Sequence, residues 1–391
     1  MIVRPPTDAD DAQIYEILRL AFGGPREPQP HMLYSHRKEG WYALVAELDG
    51  RLAGTLKVRE YQQFFGGSAV PMGGIANVAV SPAARSHGVA TTLLDAIMPE
   101  MRDRGHCISA LYPSVPQLYR GRGWEQAGNY ERVTLRPELF ALLPKPKERL
   151  VMRRATEDDL PALHDCYLRF ARTVDGTLDR TTAAFQLEKL LELDILEVVP
   201  GEDGTIRGYV TGQRPEGDKL IIHDLVADDR DTALGLFANL GRWAGVLFEI
   251  SLRINDPAWW QLLMTLPVVH DVSNHPWMLR VVDLPAAVAA RGWPSAAYLA
   301  PTSVDIEVVD EHAPWQAGRH RLVVDSGKVV CEPGGDGAIR LQARALGPWY
   351  AGSADTAMLR RSGLLEGDVT AARVLDLLTG APRLPRMADS F

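Results

Sequence analysis

The residues best suited to chemistry lie between Gly74 and Leu94. Ile75-Ala76-Asn77-Val78-Ala79-Val80 reads as an apolar strand that runs through Ser81-Pro82-Ala83-Ala84 into Arg85-Ser86-His87-Gly88-Val89-Ala90. A helix follows, with apolar positions at Leu93, Leu94, Ile97 and Met98. Such a strand-to-helix junction suits phosphate binding, because the first N–H groups of a helix lack intrahelical acceptors and can face an anion. Gly88 lets the backbone approach a ligand closely, Ala90 leaves the helix start uncrowded, and Arg85 adds positive charge. The spacing is Arg-x-x-Gly-x-Ala. It is neither a P-loop pattern nor Gly-x-Gly-x-x-Gly, which disfavours a nucleoside-triphosphate or dinucleotide site. The bland alternative for the same residues is a strand–turn–helix with a solvated arginine.

The elements that position this segment belong to an internal repeat. Val3-Arg4-Pro5-Pro6-Thr7-Asp8-Ala9-Asp10 is echoed by Met152-Arg153-Arg154-Ala155-Thr156-Glu157-Asp158-Asp159. Each reads as a short strand, a capping Thr, and acids that suit the positive end of a helix dipole. The helices that follow carry apolar residues at Ile14, Ile17, Leu18 and Ala21, and at Leu160, Leu163, Tyr167 and Phe170. Asp49-Gly50-Arg51-Leu52-Ala53-Gly54 matches Asp203-Gly204-Thr205-Ile206-Arg207-Gly208, a hairpin signal in both places. The same order therefore occurs twice, offset by roughly 150 residues, as expected of two related α/β domains. From about Leu284 the texture changes. A short helix to Arg291 is stopped by Gly292-Trp293-Pro294. Strands then read at Val304–Val309, Gly318–Val324 and Lys328–Glu332, with helices over Ala354–Ser362 and Asp368–Leu378. The tail from Pro382 to Phe391 is punctuated by prolines and extended.

Val78-Ala79-Val80 followed by Arg85-x-x-Gly88-x-Ala90 resembles motif A of the GNAT superfamily of N-acetyltransferases, which binds the pyrophosphate of acetyl-CoA. Ala110-Leu111-Tyr112-Pro113-Ser114 and Tyr119-Arg120-Gly121-Arg122-Gly123-Trp124 are similar to that family's closing strand and its Tyr-x-x-x-Gly-aromatic segment. Nearly the whole chain resembles the enhanced-intracellular-survival (Eis) branch. The resemblance implies an α/β fold: two fused GNAT-like domains with central mixed sheets (1–145 and 146–283) and a sterol-carrier-like α+β domain (284–391). It implies an acetyl-CoA site at Val78, Ala79, Val80, Arg85, Ser86, His87, Gly88, Val89, Ala90 and Ser114. Tyr119 would be the general acid, and the carboxylate of Phe391 the general base. Phe22, Tyr34 and Asn77 would meet the acceptor, although Gly24 stands where some relatives carry an acid and Asn77 replaces a bulkier apolar residue. A homo-hexamer acting on an aminoglycoside-like amine is implied, with lysine side chains as the alternative.

Acetyl transfer to an amine needs a neutral nucleophile, a donor for the oxyanion and an acid for the leaving thiolate. The motif implies a bulge near Val78 to Val80, and the N–H of Val80 would polarise the thioester. A reference phenol near ~10 is close to matched with a thiolate of about 8.5, and a free α-carboxyl of about 3.5 needs burial to act as a base. In the second repeat the corresponding loop reads His223-Asp224-Leu225-Val226-Ala227-Asp228-Asp229-Arg230-Asp231. Its acids would repel pyrophosphate, so one CoA site per chain is expected; the acids read as a solvated turn or as a route for a cationic substrate.

Composition sets the outer limits. Lys plus Arg total 42 against 50 Asp plus Glu, a formal −8, which argues against a nucleic-acid or anionic-membrane surface. No apolar run approaches the ~18–20 residues of a spanning helix. The charged start reads as no signal peptide, and three scattered cysteines suggest a reducing, cytoplasmic setting. His31 with His36, and His312 with His320, lack companion ligands, so no metal is expected. Trp259-Trp260 reads as core. From another class, the alternative function is a non-catalytic CoA- and lipid-binding sensor.

Overall fold

The computed structural model describes residues 1–28, 38–266 and 271–391. Strands β1 (Ile2–Arg4), β2 (Trp41–Leu48), β3 (Arg51–Phe65), β4 (Ser68–Val80), β5 (Ile108–Leu111) and β6 (Glu125–Leu135) come from the first lobe by sequence. The second supplies β7 (Arg153–Arg154), β8 (Ile195–Pro200), β9 (Ile206–Gln213), β10 (Lys219–Ala227), β11 (Glu249–Arg253) and β12 (Asp271–Val281). All twelve join one mixed sheet, ordered β1-β2-β3-β4-β5-β12-β6-β11-β10-β9-β8-β7. The succession is the same from either edge. β4 runs parallel to β5 as β10 does to β11, and β6 pairs antiparallel with β12 at the centre. Each lobe's sheet is thus closed by the other's last strand: β12 borders β5, and β6 borders β11.

Helices α1 (Asp11–Phe22), α2 (Val89–Asp103) and α3 (Pro116–Arg120) serve the first lobe; α4 (Leu160–Ala171), α5 (Arg230–Gly241) and α6 (Pro257–Leu263) serve the second. The repeat is visible in side-chain chemistry. Arg4 holds Asp10 by two hydrogen bonds while Thr7 and Asp10 box the start of α1. Arg153, Thr156 and Asp159 repeat the arrangement before α4. Gly54 lies opposite Val80, and Gly208 opposite Ala227. A Cβ on Gly54 would come 2.7 Å from Val89 of α2; on Gly208, 2.7 Å from Thr232 of α5. Both glycines let the helix that follows the central strand sit directly on the sheet. Leu93, Leu94, Ile97 and Met98 of α2 bury fully against it, as their spacing predicts.

The C-terminal part opens with α7 (Leu284–Ala290). Strands β13 (Thr302–Val309), β14 (Gly318–Asp325), β15 (Lys328–Pro333), β16 (Ile339–Gln342) and β17 (Leu365–Gly367) form a second sheet, ordered β15-β14-β13-β16-β17. Helices α8 (Ala343–Ala351), α9 (Thr356–Arg361) and α10 (Val369–Thr379) complete it. Leu346, Trp349 and Leu375 bury against Ile306 and Leu341 in a core shared with Trp277 and Leu279 of β12. The last residues then run back, extended, to the first lobe. The N–H of Asn129 on β6 donates to Pro385 (3.2 Å), that of Arg386 to the Asp175 carbonyl (2.9 Å), and Arg386 pairs with Glu131. Met387 and Ala388 are buried.

Candidate active site

β4 and β5 pair only from Met72 opposite Ile108 to Gly74 opposite Ala110. Beyond that point they part, which leaves the edge of β4 from Ile75 to Val80 facing a cleft. The bulge expected there lies at Asn77 and Val78, which together face the single residue Leu56 between the Thr55–Ala79 and Lys57–Ala76 pairs. Asn77 takes φ 54°, a left-handed conformation that asparagine tolerates better than a branched residue. The Ser81 N–H donates to Ala53 of β3 (2.8 Å). Successive N–H groups of an extended strand point to opposite edges, so that of Val80 points into the cleft.

At the mouth of the cleft, Pro82–Ala84 form a 3-10 turn and α2 begins at Val89. Ser86 and Gly88 both have positive φ (65° and 75°). The Gly88 carbonyl is occupied by Thr91 and Thr92, while among the described residues nothing accepts from the N–H groups of Ser86, His87 or Gly88. Arg85 to Gly88 are exposed, Val89 is buried and Ala90 half-buried. His87 makes a 2.8 Å bond to the Arg85 carbonyl, a contact that fixes the loop. Free donors, left-handed backbone and an unpaired arginine fit a diphosphate.

A cavity of about 310 Å³ occupies the cleft, lined by Phe22, Ala76, Asn77, Val78, Ser114, Tyr119 and Phe391 among others. Residues from α1, β4, the loop after β5, α3 and the far end of the chain therefore meet in one space. Tyr34, His31 and His36 lie outside the described residues. Burial pushes the Tyr119 phenol up to about 12. The near-match with a thiolate expected from a reference phenol is therefore not kept; the same desolvation acts on any thiolate held beside it.

Phe391 is seated over Gly74, where a Cβ would come 2.9 Å from its ring. Its ring lies 5.3 Å from Tyr61 and 5.7 Å from Tyr112. Tyr112 donates to the Asp389 carbonyl at 2.8 Å, and the Asp389 carboxylate accepts from Arg180 at 2.9 Å. Arg180 is buried and also clasps Asp224 at 2.6 and 3.1 Å; Asn255 donates to the same carboxylate. Burial alone would raise the Asp224 carboxyl, but Arg180, with Arg253 and His223 adding to it, holds it below the usual range. Tyr61, Gly74, Tyr112, Arg180 and Asp389 were not legible as site residues. The Gly73-Gly74 pair inside an apolar strand is the one local signal of a close approach.

Among the described residues the second lobe has no counterpart of the Arg85–Gly88 loop. Asp229 caps α5 itself, accepting from Thr232 at 2.8 Å, so a carboxylate already holds the helix start. Asp228 pairs with Arg169 and Asp229 with Arg207. These acids, like buried Asp224, are matched by arginines rather than lining a route for a cation. Trp259 is buried in the second lobe's core as expected. His312 faces Asp95, and His320 bonds the Gln316 carbonyl. Among the described residues no group of three His, Cys, Asp or Glu could hold a metal, and no helix is long and apolar enough to cross a membrane.

Residues 2–127 match the acetyltransferase (GNAT) domain family, and residues 284–388 the sterol carrier protein domain family. The chain thus carries a GNAT acetyltransferase domain, that of an acyltransferase enzyme, ahead of a sterol-carrier-type domain. An uncharacterized N-acetyltransferase of Streptomyces avermitilis is 28% identical over 416 residues, with 95% of each chain covered. A GCN5-related N-acetyltransferase of Kribbella flavida superposes over 100% of both chains with a TM-score of 0.84 and 28% identity. Eis1 of Mycobacterium abscessus does so over 100% of both with a TM-score of 0.75 and 24% identity, which speaks for the fold. Acetyl-CoA is accordingly the co-substrate of this GNAT domain.

Proposed function

We propose that the enzyme transfers acetyl from acetyl-CoA to a primary amine of a small acceptor by direct attack in a ternary complex. One observation carries this reading: the C-terminal residue lines the same cavity as Tyr119 and the β4 bulge. Arg85 and the N–H groups from Ser86 to Ala90 hold the diphosphate, while Val78, Ala79 and Ser114 hold the pantetheine arm. The Phe391 carboxylate takes a proton from the acceptor ammonium, and the freed nitrogen attacks the thioester carbon. The Val80 N–H stabilises the oxyanion. The C–S bond then breaks, Tyr119 protonates the departing sulfur, and the proton shed by nitrogen restores the phenol. Phe22 and Asn77 flank the acceptor, with Tyr34 assigned there by resemblance alone.

An aminoglycoside-like acceptor is supported by that resemblance and by the formal charge of −8; the GNAT domain supports the broader class, an amine acceptor. The same reading extends to domains at 1–145, 146–283 and 284–391, and to a cytoplasmic homo-hexamer with no nucleic-acid or membrane partner. Release of free CoA thiol from acetyl-CoA, measured over a panel of amines, tests the function. Turnover with intersecting initial-rate plots is expected, as is a rise in melting temperature with acetyl-CoA. No thiol release with any amine, or parallel plots that signal an acetyl-enzyme, would overturn it.

A further inference from the structure

The wall behind Phe391 is cationic. Antiparallel partners share a face of the sheet, and two rows cross β2, β3 and β4 side by side. One is Trp41–Arg59–Gly74 and the other Ala43–Lys57–Ala76. Phe391 sits over the end of the first row, and Ala76 lines the 310 Å³ cavity at the end of the second. Lys57 and Arg59 are thus one strand, roughly 5 Å, from the seat of the tail. Around the Trp41 ring gather Lys57 at 4.1 Å, Arg59 at 4.7 Å and Lys38 at 5.1 Å. Trp41, Arg59 and Lys38 line a second cavity of about 480 Å³ with Tyr61, Asp389 and Ser390. The two cavities lie on either side of the Tyr61–Phe391 ring contact, Tyr61 lining this one and Phe391 the other.

Among the described residues these cations have no counter-ion. Lys57 is only 6% exposed, yet among the described residues it has no hydrogen bond and no ion pair. Arg59 donates only to the Tyr61 hydroxyl (3.3 Å), and its Nε is buried without a partner. The acid nearest the tail's end, Asp389, is already held by Arg180. Glu39, at the exposed rim of the cavity, pairs with none of the three. Burial, Arg59 and Lys38 together lower the Lys57 ammonium to about 7. A buried cation without a partner is costly to keep, and a bound oxyanion would recharge it.

We infer that the acceptor is an amine that also carries an oxyanion, a carboxylate or phosphate, which docks against Lys38, Lys57 and Arg59 while its amine faces Phe391. This rests on the proposed acetyl transfer and names its substrate class. The strand spacing sets amine and oxyanion roughly 5–10 Å apart, the reach of a basic amino acid or an amino-sugar phosphate. A polycation would meet like charge here, so an amine that also carries an oxyanion replaces the aminoglycoside-like acceptor.

Matched pairs test it: lysine against 1,5-diaminopentane, and glucosamine 6-phosphate against glucosamine, which separates carboxylate from phosphate. Calorimetry on the full chain saturated with CoA should show the acid-bearing member of at least one pair binding at least about tenfold tighter, the scale of a desolvated charge pair. Lys38→Ala and Lys57→Met should each bring that ratio toward one. If neither acid-bearing member is preferred, or the preference survives both substitutions, the inference fails. Thiol release with the acid-free members would then still uphold the transferase; its absence for every amine would sink the transferase reading instead.

Discussion

Replacing Lys57 should strengthen the fold. Its ammonium value is about 7 in the folded chain, against 10.5 for an exposed lysine, so between those values the unfolded chain binds more protons. Stability therefore rises with pH across that window, by up to about 1.4 kcal/mol per unit; the penalty is complete below about 7 and gone above about 10.5. At pH 7.5 the remaining gap of about 3 units corresponds to about 4 kcal/mol. Contact with the Trp41 face stabilises the ammonium by about 1 kcal/mol, which brings the net cost to about 3 kcal/mol. Lys57→Met keeps the alkyl stem against the indole and deletes the charge. Equilibrium urea unfolding, followed by tryptophan fluorescence, should show the variant more stable by about 3 kcal/mol at pH 7.5 and by about 2 kcal/mol at pH 9, where the amine is neutral and the cation–π contact is gone. The difference between variant and parent cancels every other titrating group. A variant no more stable at pH 7.5, or a gain that does not shrink toward pH 9, would refute the account of Lys57 as an unpaired buried cation.

Other predictions concern the tail. Adding a few residues after Phe391 should cut turnover by well over about tenfold and leave acetyl-CoA affinity, read by calorimetry, nearly intact; full activity in the extended chain would remove the terminal carboxylate from the mechanism. Gly74→Ala places a Cβ 2.9 Å from the Phe391 ring and should lower kcat about tenfold or more with little change in the acetyl-CoA melting shift; unchanged kcat would mean that the ring's seat is irrelevant. Asp389→Asn weakens the clasp to Arg180 without leaving Asp224 unpaired, so it should reduce kcat several-fold at nearly constant melting temperature. A large loss of stability instead would make Asp389 structural.

The repeat, the strand–turn–helix from Val80 to Val89 and the meeting of Tyr119 with Phe391 in one cavity are legible because each rests on local pattern or on the resemblance of spaced motifs. Thr7 with Asp10 and Thr156 with Asp159 lie three residues apart and form the same capping box in both lobes. What stayed hidden depends on partners far apart in the chain. Arg180 meets Asp389 across 209 residues, and nothing near either marks the pairing. The helix α8 contains Gly347-Pro348, which reads as a breaker; it holds because it packs on β12, where a Cβ on Gly347 would come 2.4 Å from the Leu279 carbonyl. The exchange of β6 and β12 between lobes is also beyond local pattern, since both read simply as strands. The proton match at Tyr119 failed for the same reason: reference values know nothing of burial.

The degenerate lobe gains its meaning from the symmetry of the sheet. β10 and β11 pair in parallel only as far as Ile222 opposite Leu252 and then part, as β4 and β5 do after Gly74. In the first lobe the opened edge faces the cavity where Tyr119 and Phe391 meet. In the second, the stretch just past the parting holds Asp224, clasped by Arg180 and Asn255, and Asp229 has taken the helix start that an anion would use. The buried Arg180 spends its remaining donor on Asp389, two residues before the end of the chain. The opening that is a cavity in the first lobe is in the second filled by an ion cluster that grips the tail. The two lobes thus differ in what they do with the same opening: one leaves it as the cavity shared by Tyr119 and Phe391, and the other fills it with the ion cluster that holds Asp389 and with it the last residues.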